Sequence, residues 1–223
     1  MEKRKIIFGT YDTALHGLWT LNAWELSPAK QHTNFVTVPG RDGQLDLSTA
    51  LTDGEPRYDN RTLTVRLESS EGTRLEREAR ISTMVNWLDG WSMDIKLPDR
   101  PTQYVKGRVH VEREFNDPAH CAVNVTAVCE PWLYFVNERV YTLTAAAQEK
   151  TAVLSNAGRR TVAPTITVSG TGASVKLVYG ASSWVLSAGT YQLPDLILKQ
   201  GDVELLYSGT GTVRIAYREA VLQ

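Results

Sequence analysis

Histidine is the first side chain to consider, because a neutral imidazole binds metal ions and its titration near neutral pH suits general base catalysis. None of the four histidines lies at a spacing typical of metal ligands. His110 alternates with Lys106 and Arg108 on the polar side of one strand pattern. The sequence therefore favours surface positions over a metal or general-base role for His16, His32, His110 and His120.

An acidic segment raises the question of calcium binding, since it contains Asp42, Asp46, Asp53, Glu55 and Asp59. Asp42 and Asp46 match positions 1 and 5 of an EF-hand loop. Gln44 stands at position 3, however, and Leu47 replaces the glycine that such a loop needs at position 6. We therefore predict that this segment holds no metal ion.

The motifs of common enzyme classes are absent from the sequence. It contains no G-x-S-x-G, no H-E-x-x-H, no G-x-x-x-x-G-K-[ST] and no paired C-x-x-C. We predict no catalytic residues, no cofactor and no enzymatic activity. Paired carboxylates of a glycosidase stand roughly 5 to 9 Å apart, a separation that a sequence does not give, so a hydrolase with scattered residues stays a third hypothesis.

Three aromatic residues near the C-terminus offer a different chemistry, the stacking of a sugar ring on a lectin-like surface. They are Trp184, Tyr179 and Tyr191. Aromatic side chains in β-sandwiches more often fill the core. Carbohydrate binding is therefore the alternative hypothesis.

Composition bounds the class of protein. The chain has 223 residues, of which 42% are hydrophobic and 22% charged, as in ordinary packed proteins with room for two domains. Lys and Arg number 24 against 25 Asp and Glu, so net charge predicts neither specific nucleic-acid binding nor attraction to an anionic membrane. The apolar run after Lys5 is too short for a signal peptide, and no run is long enough to span a membrane, so we expect synthesis in a cytoplasm.

Alternating apolar residues predict a mainly β protein. Leu63, Val65 and Leu67 alternate with polar residues, as do Val105, Val109 and Val111. Cys121 and Cys129 lie in one further strand, about 26 Å apart at about 3.3 Å per residue, so we predict two buried thiols that form no disulfide.

One segment has helical periodicity instead. Thr73 and Glu76 form a capping box, and an apolar stripe at Ile81, Met84, Val85 and Leu88 precedes Gly90, which predicts a helix over residues 73–89. Arginines at positions 74, 77 and 80 interrupt the stripe, so we expect the first turns to face solvent or a partner.

The amino-acid composition changes near Asn137, where a Trp- and Pro-rich stretch is followed by small residues. We place a boundary there, with domains at residues 1–137 and 138–223. The second domain reads as about eight short strands in a β-sandwich. Its last two strands are expected to form a hairpin around Gly209-Thr210-Gly211.

Several short motifs in the first part of the chain are more specific than a generic β protein requires. They are Phe8-Gly9, Pro39-Gly40-Arg41-Asp42-Gly43, Leu45-Asp46-Leu47 and Tyr58-Asp59-Asn60-Arg61. Together with Trp87-Leu88-Asp89-Gly90, Lys96-Leu97-Pro98-Asp99 and Cys129-Glu130-Pro131-Trp132, they resemble the N-terminal signature of the distal tail protein (Dit) family of long-tailed phages and prophages. Looser similarity follows at Asn156-Ala157-Gly158 and Gly201-Asp202-Val203.

The resemblance implies a split β-barrel-like N-terminal domain with one α-helix, followed by a galectin-like β-sandwich. It implies a structural protein of the virion tail tip, a ring of six copies joining the tail tube to the host-adsorption apparatus. The expected partners are the tail-tube protein and the tail-associated hub or lysin protein, with DNA passing through the lumen. Pro39 makes the loop Pro39, Gly40, Arg41, Asp42 and Gly43 rigid and its glycines allow positive φ, so we take it as the candidate contact between subunits or partners. The alternative is a tight turn that serves only the fold.

Overall fold

The computed structural model describes residues 3–20, 24–52, 54–114 and 121–223. The chain forms two units, Met1–Leu133 with Leu222–Gln223 (unit 1) and Tyr134–Val221 (unit 2). The sequence-based division at residues 137 and 138 concerns independent folding and stays a prediction. In the described part of the chain, no helix has the length and apolar character needed to cross a membrane.

The elements of unit 1 are mostly strands. They are β1 (Ile7–Phe8), β2 (Tyr11–Asp12), a 3-10 turn (Thr13–His16), β3 (Glu25–Leu26), β4 (Phe35–Thr37), β5 (Gln44–Asp46), β6 (Arg61–Ser69), α1 (Arg74–Leu88), β7 (Ser92–Lys96), β8 (Gln103–Arg113) and β9 (Cys121–Phe135), whose last residues enter unit 2. Seven of these strands form one sheet in the order β2-β1-β7-β8-β9-β6-β3, and β4 and β5 form a separate hairpin.

The predicted alternation of the unit 1 strands is confirmed. Leu63, Val65 and Leu67 are buried in β6, which pairs with β9 from Arg61 opposite Cys129 to Ser69 opposite Cys121. Close packing between β8 and β9 requires glycine at position 107, because a Cβ atom added to Gly107 would lie 2.6 Å from the Cys129 sulfur. Strands β8 and β9 therefore approach more closely there than any larger side chain allows.

Helix α1 begins as predicted. The Thr73 side chain accepts a hydrogen bond from the Glu76 N–H, and the Glu76 carboxylate accepts one from the Thr73 N–H at 2.6 Å. Ile81, Met84 and Leu88 are buried, which confirms the apolar stripe. The expectation of solvent-facing first turns is wrong for Arg77, which is buried because its guanidinium donates to the Gly72 carbonyl oxygen at 2.6 Å.

Unit 2 is built on two long strands that bend. Its elements are β10 (Arg139–Ala145), β11 (Lys150–Asn156), β12 (Thr165–Tyr179), β13 (Ser182–Ser187), β14 (Gly189–Gln192), β15 (Gly201–Tyr217) and β16 (Ala220–Val221). The first half of β12 pairs with the second half of β15, and the second half of β12 pairs with the first half of β15. Strands β10 and β14 extend one of the resulting four-stranded halves, and β11 and β13 extend the other.

The predicted closing hairpin is wrong, because Gly209 and Gly211 lie inside the continuous strand β15. Both have positive φ, +119° and +113°, which only glycine adopts readily. A Cβ at Gly209 would lie 2.1 Å from the Ser174 carbonyl oxygen, so the glycines let β15 bend against β12. The same residues that suggested a turn in the sequence produce a bend between the two halves.

One hydrophobic core serves both halves of unit 2. It includes Leu154, Ile166, Val175, Leu205 and Ile215. The element order of the two units confirms the prediction of a mainly β fold with one α-helix in the described residues. The finer expectations, a split barrel in the first domain and a galectin-like sandwich in the second, stay predictions.

Candidate functional site

The histidines of the described residues pair with acids or stack on rings. His110 is 62% exposed, and its Nδ1 lies 2.9 Å from Asp89 Oδ1. Hydrogen bonds from the Val111 N–H and from His110 hold the pKa of the Asp89 carboxyl below its ordinary value. Because Asp89 is also the C-cap of α1, this cluster fastens the end of the helix to β8. Its geometry is that of a structural link on an open surface.

The other histidines differ in how far they are exposed. His32 is exposed, as predicted, with Nδ1 3.2 Å from Asp59 Oδ1. His16 is only partly exposed, and its ring stacks on Tyr11 with centroids 4.1 Å apart. His120 lies outside the described residues.

The acidic segment is spread over a hairpin and its flanks. Asp42 and Asp46 are exposed, and hydrogen bonds from the Ser48 side chain and backbone lower the pKa of the Asp46 carboxyl. Asp53 lies outside the described residues. Across the part of the chain that the structure describes, no group of three or more His, Cys, Asp or Glu side chains is placed to hold a metal ion.

The most strongly shifted groups are buried thiols and phenols. Cys121 and Cys129 are free and buried as predicted, and burial raises the pKa of the Cys129 thiol to about 11. Burial also raises the pKa of Tyr11 to about 12 and raises that of Tyr217. These groups are protonated at neutral pH, so none is a nucleophile or base there.

A basic cluster borders a surface concavity lined by Lys3, Arg4, Lys5, Pro98 and Asp99. Each of its cations has an acidic partner. Lys3 Nζ lies 2.6 Å from a Glu71 oxygen, Arg4 Nη1 lies 3.1 Å from Asp99 Oδ1, and Lys5 Nζ lies 2.8 Å from an Asp12 oxygen. The positive charge is therefore balanced locally, and the cluster reads as a set of surface ion pairs.

The candidate contact loop, Pro39 to Gly43, forms the tip of the hairpin β4–β5 (the 35–46 hairpin). Gly40 and Gly43 have φ of +79° and +75°, which explains the two glycines in the turn. Residues 31–44 are all exposed, so this tip and both strands leading to it lie on the surface. The geometry suits a contact loop, and that role stays a prediction.

The strands of the 35–46 hairpin expose apolar side chains that the sequence analysis did not single out. Val36 and Leu45 are cross-strand partners and share one face, while Phe35 lies on the other face opposite Asp46. Phe35 and Val36 are exposed. A two-stranded hairpin is marginally stable alone, and apolar residues on its open surface are typical of a region that packs against another chain. Their strand alternation was visible in the sequence, but their exposure was not.

A second exposed apolar surface lies on α1. Leu75, Ala79, Thr83 and Trp87 recur every four residues on its outer side, and all are exposed. Trp91, just beyond the helix, is 65% exposed. Large exposed tryptophans are uncommon on a monomer surface and enriched in protein interfaces.

The predicted sugar-stacking residues lie at the margin of the unit 2 core. Trp184, Tyr179 and Tyr191 all pack against that core. The Tyr179 and Tyr191 hydroxyls donate to the carbonyl oxygens of Ile197 and Ser187, each at 3.1 Å. Packing and hydrogen bonding account for these aromatic residues in the fold, and their binding of a sugar stays a prediction.

Comparison with known proteins places the fold. No protein-family model matches the chain, and no curated protein matches it. Among solved structures it is similar to the SPP1 Dit protein, described as a paradigm of the hub adsorption apparatus in phages that infect Gram-positive bacteria. The TM-score is 0.63 and the identity 15%, over 96% of this chain and 98% of that chain. The resemblance to distal tail proteins is thus confirmed at the level of the fold.

Proposed function

We propose that this protein is a structural component of a phage virion, located at the tail tip in the hub of the adsorption apparatus. The observation that carries the proposal is the likeness in fold to the SPP1 Dit protein over nearly the whole of both chains. A likeness that includes both units argues for a shared architecture rather than for one common module. On this proposal the chain is made in the host cytoplasm and is not an enzyme.

The finer proposal is a ring of six copies assembled through unit 1. A ring needs a heterologous interface, in which one patch of a subunit meets a different patch of the next. Unit 1 has two exposed apolar surfaces that could supply such a pair, the 35–46 hairpin and the outer side of α1. The tail-tube protein and the tail-associated hub or lysin protein would bind the two sides of the ring, and DNA would pass through its lumen without specific recognition.

The contact role of the hairpin can be tested with two substitutions on adjacent residues. Val36→Lys places a charge on the face that Val36 shares with Leu45, whereas Thr37→Lys places the same charge on the opposite face. We expect the wild-type chain to form rings that each weigh about 149 kDa, six times the chain mass of 24.8 kDa. Val36→Lys should abolish the ring, while Thr37→Lys should keep it.

The measurement is light scattering coupled to size exclusion, with negative-stain electron microscopy to count the subunits. Only monomers of the wild-type chain at high concentration, with no rings in the images, would contradict the ring. Equal effects of the two substitutions would leave the ring standing and contradict the role of this hairpin face.

A further inference from the structure

Unit 2 has one sheet edge that carries neither charge nor proline, two of the usual protections against pairing with another chain. This edge is formed by β13 and β14, residues 182–192, and each of these strands pairs only with β12 among the described residues. Soluble proteins normally protect such edges with charged residues, proline, bulges or a covering segment. Residues 182–192 contain no charged residue and no proline.

The opposite edge of the same unit is different. Strands β10 and β11 begin with Arg139 and Lys150, and Glu149 lies just before β11. Arg139 also forms an ion pair with Glu219. Charge therefore protects one edge of unit 2 and is missing from the other.

We propose that β13 pairs antiparallel with β13 of a second copy of this chain, across a two-fold axis. Identical strands with no charge can face each other without repulsion, whereas a charged edge strand would meet its own charge. Val185 is 72% exposed and lies at the middle of β13 on its outer face. This inference concerns unit 2 and does not rest on the six-fold ring.

The side chains select one register. Opposite residues in a continuous sheet must lie on the same face, so the axis has to pass through a residue of the strand. An axis at Val185 sets Val185 against its copy, Trp184 against Leu186, and Ser183 against Ser187. An axis at Trp184 would instead set Ser183 against Val185. Over residues 183–187 the first register pairs apolar with apolar and hydroxyl with hydroxyl.

The charge on the neighbouring strand does not oppose this pairing. Lys176 on β12 is the cross-strand partner of Val185, so the two copies of Lys176 would lie in one row across four strands. At about 4.8 Å per strand spacing they would stand roughly 14 Å apart. That separation exceeds the Debye length of roughly 8 Å at physiological salt, so their repulsion is largely screened.

A charge on the edge tests the pairing by mass. Val185→Lys should halve the mass seen in sedimentation of the full chain, from two copies to one, or from twelve to six if rings also form. Val153→Lys is the matched control, because Val153 is 51% exposed on the opposite edge strand β11. It should leave the mass unchanged. A halved mass shows that the copies pair through β13, whether or not the ring forms.

A disulfide tests the register. Val185→Cys should give a covalent dimer on a non-reducing gel after mild oxidation, and Val153→Cys should give no covalent dimer. The two native thiols are buried and do not interfere. If Val185→Lys fails to fold, the cysteine variants still decide. Wild-type and Val185→Lys chains of equal mass, or cross-linking of Val185→Cys no faster than that of Val153→Cys, would overturn the proposal.

Discussion

Asn156 gives the most direct test of the packing of unit 2. Its side chain is buried and makes three hydrogen bonds. The amide nitrogen donates to the carbonyl oxygens of Arg160 at 3.0 Å and Leu198 at 3.1 Å, and Oδ1 accepts from the Gly158 N–H at 3.0 Å. One side chain thus joins the end of β11 to two separate segments.

Asn156→Ala removes all three bonds and leaves their partners without the amide. At about 1 kcal/mol per bond, the free energy of unfolding should fall by about 3 kcal/mol. For a unit of this size, each kcal/mol lowers the melting temperature by about 4 to 8 °C, so we expect a shift of about 12 to 24 °C. Asn156→Asp should cost more, because its carboxylate would face two carbonyl oxygens.

Differential scanning calorimetry is the assay, with Asn86→Ala as the control. Asn86 is exposed on α1, so its substitution should change stability by less than about 0.5 kcal/mol. If the two units unfold separately, Asn156→Ala should shift only one of two transitions. A shift below about 3 °C would refute the reasoning, since it would mean that the three bonds contribute almost nothing to unit 2.

Three further predictions concern unit 1. Gly107→Ala should lower its stability by about 1 to 3 kcal/mol in urea unfolding, because the new methyl group meets the Cys129 sulfur, and Cys129→Ala in the same chain should restore part of the loss. Reductant should leave the melting temperature unchanged, and Cys121 and Cys129 should react with iodoacetamide only on unfolding; a two-hydrogen mass gain on reduction would contradict this. The pKa of the Asp89 carboxyl is lowered in the folded chain. Its contribution to stability is therefore present above the ordinary carboxyl pKa of about 4 and is lost as the pH falls through the folded value. Asp89→Asn should accordingly make the free energy of unfolding depend less on pH in the acid range.

Local patterns in the sequence were enough to predict several elements. The capping box at Thr73 and Glu76 and the alternation in β6 depend on neighbours in the chain, and both are present in the structure. The resemblance to distal tail proteins, drawn from short motifs, agrees with the fold. These features could be predicted because each depends on residues close together in sequence.

Most of the predictions that proved wrong concern features that depend on residues far apart in the sequence. Gly209 and Gly211 suggested a turn, but their role depends on Ser174 and Ala173 of β12, which no local pattern reveals. Arg77 is a local exception: its partner, the Gly72 carbonyl oxygen, lies only five residues away, but the helical pattern gave no sign that the guanidinium would donate to it. The exposure of Val36 depends on what packs over the hairpin, so that part of the candidate site could not be predicted.

The bent strand β15 also constrains how unit 2 is made. Strands β10, β11 and β12 all pair with β15, although β15 follows them in the chain. On a ribosome these three strands therefore emerge before their common partner, and their ladders cannot close until β15 has been synthesised. Such long-range pairing is slow to form and leaves edges open in the meantime. Unit 2 should consequently complete its structure late, with chaperone binding strongest while β15 is still missing.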